Sequence, residues 1–189
     1  MAEHTLHIKN MVCDRCIMVV KSELELLNIQ SEVIRLGEVD LKSALSELQK
    51  EQLAARMSAL GFELIDDRKL RVIERIKNII VQLVHQQQDA LQINLSEYIS
   101  QKLGMDYHSL SKIFSEMEGS TIEKYVIAQK IERVKELISY NELNLNEIAL
   151  LLNYSSTAHL SAQFKKVTGM TASQYKNLAD KDRKTLDSL

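Results

Sequence analysis

Cys13 and Cys16 are the two cysteines of a chain of 189 residues, and they sit in Met11-Val12-Cys13-Asp14-Arg15-Cys16. A Cys-x-x-Cys pair can hold a soft metal ion between two thiolates, or interconvert between dithiol and disulfide. Zn(II) ordinarily takes four protein ligands in a structural site, so two sulfurs suit Cu(I) better. His4 and His7 lie close in the chain, but their alternating context marks them as solvated strand residues rather than ligands. Asp14, between the cysteines, is expected to face outward.

The elements that must hold this pair are short. Thr5-Leu6-His7-Ile8-Lys9 alternates like a strand. Cys16 to Leu27 reads as a helix whose stripe is Cys16, Val19 or Val20, Glu23 or Leu24, and Leu27. Two thiols at such a helix start would have their thiolate forms favoured by the free N–H groups and the dipole. Val33 to Gly37 and Val39 to Leu41 read as two further strands. Ser46 to Leu60 reads as a helix with Leu45, Leu48, Leu53, Met57 and Leu60 apolar. Gly61 fits the position after a helix end, where positive φ is easy. Phe62 to Ile65 reads as a fourth strand. The order βαββαβ predicts an α+β, ferredoxin-like domain over residues 1–68.

Met-x-Cys-x-x-Cys between a first strand and a first helix, with Gly61-Phe62 before the last strand, resembles the heavy-metal-associated domain of copper chaperones and metal-transporting ATPases. The resemblance implies Cys13 and Cys16 as metal ligands, with Cu(I) the favoured ion and Zn(II) or another soft metal behind it. It places Met11 beneath the loop, beside the ligands rather than among them, with Phe62 nearby. Zinc-preferring members often carry Asp before the first cysteine, where this chain has Val12. The family's usual glycine before the methionine is Asn10, a residue that tolerates left-handed φ.

Downstream of the charged junction Asp66-Asp67-Arg68-Lys69 the pattern becomes entirely helical. Leu70 to Gln86 carries Val72, Ile73, Ile76, Ile79, Ile80, Leu83 and Val84 at helical spacing. Gln86-Gln87-Gln88 reads as a solvated helix end. Two segments then echo each other at a constant offset. Asn94 to Gly104 followed by Asp106 to Met117 matches Asn144 to Asn153 followed by Ser156 to Val167. Asn94 and Asn144 have Glu97 and Glu147 at capping-box spacing. Leu110 and Phe114 correspond to Leu160 and Phe164, and Gly119 to Gly169. Each pair is a helix-turn-helix candidate. Between them, Thr121 to Tyr140 reads as one long helix with Ile122, Tyr125, Val126, Ile131, Val134, Leu137 and Ile138 along its stripe. Such a rod could set two recognition helices about one DNA turn, ~34 Å, apart.

The block from Ile148 through Asn153-Tyr154-Ser155-Ser156 to Phe164-Lys165-Lys166 and Gly169-Met170-Thr171-Ala172 resembles the signature of AraC/XylS-type transcription regulators. The likeness extends over roughly residues 72–178. It implies an all-α DNA-binding domain, residues 69–189, with two helix-turn-helix motifs joined by a long helix. By resemblance the first recognition helix presents His108, Ser111 and Lys112 to bases, and the second Thr157, Ala158, His159 and Ala162. Many members carry Arg where this chain has Ala162, which shifts reading toward Thr157, His159 and Gln163. Lys165 and Lys166 are phosphate candidates. The usual proline of the signature is Ala172 here.

Composition bounds the rest. There is no Pro, no Trp and only five Gly, so long helices can run unbroken. Residues 1–68 hold eight basic and twelve acidic side chains, and the remainder sixteen and fourteen. A mildly basic C-terminal half is compatible with double-stranded DNA as partner. No apolar run approaches a membrane span, and the first residues lack a signal-peptide pattern. A cytoplasmic protein is expected, with a reduced thiol pair, no membrane partner, and a homodimer allowed. No Ser/His/Asp set, phosphate loop or carboxylate pair suggests an enzyme. The expected function is a metal-responsive transcription regulator. The alternative is a Cu(I) carrier whose helical half docks a protein.

Overall fold

The computed structural model describes residues 4–65, 67–86, 93–178 and 186. The charged tail from Asp180, and Gln87-Gln88 of the glutamine run, lie outside them. The chain forms two compact units, Met1–Ile79 and Ile80–Leu189.

The first unit runs β1 (Thr5–Lys9), α1 (Asp14–Leu26), β2 (Ser31–Arg35), β3 (Glu38–Leu41), α2 (Glu47–Ala59), β4 (Glu63–Leu64) and the first turns of α3 (Arg68–His85). Its antiparallel four-stranded sheet has the order β2-β3-β1-β4. The period-2 alternation of β1 sends Leu6 and Ile8 to one face. Register then sets Leu6 opposite Val39, and Ile34 opposite Val39 from the other side. That face packs against Val20 and Leu24 of α1 and Leu53 and Met57 of α2. At roughly 25 cal/mol per Å² of apolar surface, this shared burial is what holds the helices on the sheet.

Several expected boundaries shift for local reasons. Helix α1 starts at Asp14, not Cys16, with Cys13 as its N-cap. Ser46 caps α2 through a reciprocal capping box with Gln49. Leu48, expected on the apolar stripe, is 64% exposed, and Leu60 is also exposed. Both stand off the Leu53–Met57 line that meets the sheet, since a helix buries one stripe only. The same geometry buries Val20 and leaves Val19 at the surface.

The compact division falls inside α3 rather than at the 68/69 junction. The first turns of α3 are tied to the sheet. Arg75 Nε lies 3.1 Å from Glu38 Oε1, and the Asn10 amide donates to Glu74 Oε2 at 3.5 Å. Asp67 accepts from the amides of Lys69 and Leu70, which starts the helix without Gly or Pro.

The second unit comprises α4 (Leu95–Leu103), α5 (Tyr107–Glu118), α6 (Ile122–Tyr140), α7 (Leu145–Leu151), α8 (Thr157–Thr168) and α9 (Ala172–Lys176), with the end of α3. The repeat seen in the sequence is carried into packing. Phe114 meets Tyr125 with ring centroids 5.8 Å apart, and Phe164 meets Tyr175 at 5.7 Å. The caps repeat less faithfully. Asn144 and Glu147 form a full capping box, whereas Asn94 accepts from the Glu97 amide while the Glu97 carboxylate takes a bond from Gln101. Helix α9 begins at Ala172, and a Thr171–Gln174 capping box supplies the start signal that a proline would have given.

The expected stripe of α6 is buried throughout, but so are Gln129, Glu132 and Lys135. They pair locally: Gln129 Nε2 donates to the Tyr125 hydroxyl at 3.0 Å and Lys135 Nζ to Glu132 at 2.7 Å. A helix surrounded on several sides buries more than one stripe, and its polar groups must then find partners.

Candidate nucleic-acid interface and thiol pair

In the first helix pair, α4 ends in Gly104 at φ 64°, and Asp106 caps α5 by accepting from the Ser109 amide at 2.9 Å. In the second pair the left-handed turn residue is Asn153 at φ 54°, and Ser156 caps α8 by accepting from the His159 amide at 3.1 Å. The buried residues Leu110 and Phe114 turn the opposite face of α5 outward, as Leu160 and Phe164 do for α8. His108 and Lys112 are exposed on α5, with Ser111 half-buried between them. On α8, Ala158, His159 and Ala162 are exposed, and Thr157 and Gln163 are half-buried. His108, Ser111 and Lys112 follow the i, i+3, i+4 spacing of one face of α5, whereas the α8 residues are spread more widely, with Thr157 turned toward Asn146.

Lys165 and Lys166 are exposed in the last turn of α8, where a cation also complements the helix dipole. Several α8 side chains are already engaged. The Thr157 hydroxyl donates to Asn146 Oδ1 at 2.5 Å, Ser155 Oγ lies 3.0 Å from His159 Nδ1, and the Tyr154 hydroxyl donates to Gln163 Oε1 at 2.7 Å. Asn146, Tyr154 and Ser155 were not legible as site residues. Their partners lie on a neighbouring helix or across a turn, and no periodicity marks them.

Residues 99–178 match the model of a helix-turn-helix domain. The melibiose operon regulatory protein of Escherichia coli (strain K12) is 31% identical over 97 residues, which cover 51% of this chain and 31% of that protein. The xylose operon regulatory protein of the same strain is 30% identical over 76 residues, 40% of this chain and 19% of that protein. Residues 99–178 are a helix-turn-helix domain of the AraC type. This domain also shares its fold with the C-terminal domain of AraT, a response regulator from Geobacillus stearothermophilus. That likeness has a TM-score of 0.51 at 24% identity, and covers 63% of this chain and 94% of that one. The chain spans only about a fifth to a third of the length of the two operon regulators. The matched residues take in the second half of α4 and all of α5, α6, α7, α8 and α9.

In the first unit, Cys13 and Cys16 are half-buried free thiols with sulfurs 3.5 Å apart. Asn10 holds the loop at φ 70° and donates through Nδ2 to the Gly61 carbonyl at 2.8 Å. Met11 is fully buried beneath the loop, and Phe62 is buried in the same core. Burial pushes the Cys16 thiol up, against the expectation that the helix start would favour its thiolate. The amide bonds at the helix start act in the other direction and are outweighed. His7 lies on the sheet 3.8 Å from Glu38, with its pKa lowered chiefly by burial. Among the described residues no group of three or more His, Cys, Asp or Glu could hold a metal ion, so a metal here would rest on the two sulfurs. Among them, too, no helix is long and apolar enough to cross a membrane.

Proposed function

We propose that this chain is a transcription regulator that binds duplex DNA through its two helix-turn-helix pairs and takes its input at the N-terminal unit. The observation that carries the reading is the pair of braced recognition helices. Each buries a Leu and a Phe and turns an exposed histidine outward, His108 on α5 and His159 on α8. The names of the relatives, regulators of xylose and melibiose operons, favour operon control over an enzymatic role. In this reading His108, Ser111, Lys112, Thr157, Ala158, His159, Ala162 and Gln163 face bases, and Lys165 and Lys166 face phosphates.

The N-terminal unit is read as a ferredoxin-like, heavy-metal-associated domain. Cys13 and Cys16 would hold Cu(I), since two soft sulfurs with no third His, Cys, Asp or Glu placed to join them among the described residues suit that ion better than Zn(II). A bound ion would supply a fixed charge and cross-link at the loop. It would alter DNA affinity only through a difference between the bound and free states.

The test is selection from randomised duplexes by the reduced full chain, with and without Cu(I) and Zn(II). The expected result is a defined operator bound with steep salt dependence. Replacing Cys13 and Cys16 by Ser should remove any metal-dependent shift while leaving basal binding intact. Failure to bind any duplex would favour the metal carrier, and a metal response persisting in the double serine variant would refute the input role.

A further inference from the structure

Tyr154 stands in the turn between α7 and α8 and touches two residues of the second recognition helix. Its hydroxyl donates to Gln163 Oε1 at 2.7 Å. Its ring meets the edge of His159, with centroids 5.4 Å apart and planes at 86°. From the other side Lys130 Nζ of α6 lies 5.0 Å from the ring centroid while donating to the Leu152 carbonyl at 2.7 Å. Tyr154 is therefore held in place by the rod of the domain. Burial pushes its hydroxyl up to about 12, so it is a neutral donor across the physiological range.

In this arrangement the Tyr154 hydroxyl holds the oxygen end of the Gln163 amide. With Oε1 facing Tyr154, the Nε2 hydrogens are the part of the amide with no hydrogen-bond partner among the described residues. Glutamine reads adenine by offering an acceptor and a donor together. With its oxygen engaged, Gln163 offers N–H donors, which match the N7 and O6 acceptors of guanine.

We propose that Tyr154 is a positioning residue for base reading: by holding Oε1 it turns the Gln163 N–H donors toward the bases and biases the second recognition helix toward guanine over adenine. The proposal rests on the DNA-binding reading above. No similar clamp exists among the described residues of the first pair, whose turn carries Gly104 and whose Tyr107 hydroxyl instead bonds Glu123 on α6.

The experiment is duplex selection with the full-length chain, followed by competition titrations for wild type, Tyr154→Phe, Gln163→Ala, Gln163→Glu and Tyr154→Phe/Gln163→Ala. Wild type is expected to prefer guanine over adenine at one operator position, and Gln163→Ala to erase that preference. Tyr154→Phe should reduce the guanine-to-adenine ratio there by on the order of fivefold to tenfold and leave positions read by α5 unchanged. The double variant should match Gln163→Ala. Gln163→Glu keeps the acceptor for Tyr154 but has no N–H to donate, so it should reject guanine and favour cytosine. An unchanged ratio in Tyr154→Phe, or an equal loss on every sequence, overturns the positioning role. A wild-type chain that selects no sequence overturns the DNA-binding reading, and this proposal with it.

Discussion

Asn10 donates through Nδ2 to the carbonyl of Gly61 at 2.8 Å, tying the thiol loop to the end of α2. Asn10 itself is at φ 70°, so one residue supplies both the left-handed turn and the clamp. Asn10→Ala should cost about 1–2 kcal/mol, because Ala pays for the left-handed conformation and makes no bond to Gly61. Asn10→Gly keeps the turn and should cost less. Urea denaturation midpoints of the two variants check the order.

Gly37 and Asn78 meet within the first unit. A Cβ on Gly37 would stand 2.4 Å from Asn78 Nδ2, and Gly37 has φ 79°. Gly37→Ala should destabilise by at least about 1–2 kcal/mol from the backbone alone. Asn78→Ala in the same chain should restore only the steric part. Among the described residues neither polar atom of the Asn78 side chain has a hydrogen-bond partner. The near-isosteric Asn78→Leu is therefore expected to raise stability by about 1 kcal/mol. Thermal unfolding of the three variants distinguishes these effects.

Lys130 reaches from α6 to the Leu152 carbonyl at the end of α7, and its pKa is lowered by burial. The bond satisfies a carbonyl left open by the helix end. Lys130→Met should keep the packing of the stem but lose roughly 1–2 kcal/mol. Faster hydrogen exchange concentrated at α7 and the following turn is the expected signature, measured by mass spectrometry.

Thr5 Oγ1 donates to Asp40 Oδ1 at 2.8 Å across the β1–β3 pair, and this bond is the largest cause of the lowered Asp40 pKa, with Arg35 at 2.9 Å adding to it. A carboxylate whose folded-state pKa is depressed stabilises above its unfolded value, and that contribution is lost as pH falls through the folded value. Thr5→Val should move the Asp40 titration back toward the ordinary aspartate range and flatten the acid limb of stability. Carboxyl NMR titration of both proteins reads the shift directly.

Much of this architecture was legible because it is written within a few residues of chain. The alternation of Leu6 and Ile8, the Asn144–Glu147 box and the αL glycines Gly104, Gly119 and Gly169 are local geometry. They appear where the spacing predicts them. The repeated Leu and Phe of α5 and α8 likewise revealed which face of each helix is buried. The thiol pair was legible as two residues, but not the burial that raises the Cys16 thiol, since neighbouring elements supply it.

The sequence by itself determined the succession of elements and the duplicated helix pairs, because period, caps and turns depend on nearest neighbours. Tertiary structure alone decided that Leu48 stays exposed, that Gln129 is buried with partners, that α3 is divided between two units, and that Tyr154 holds Gln163. These outcomes depend on which surfaces close over a residue. That is set by packing between segments distant in the chain, and no local spacing encodes it.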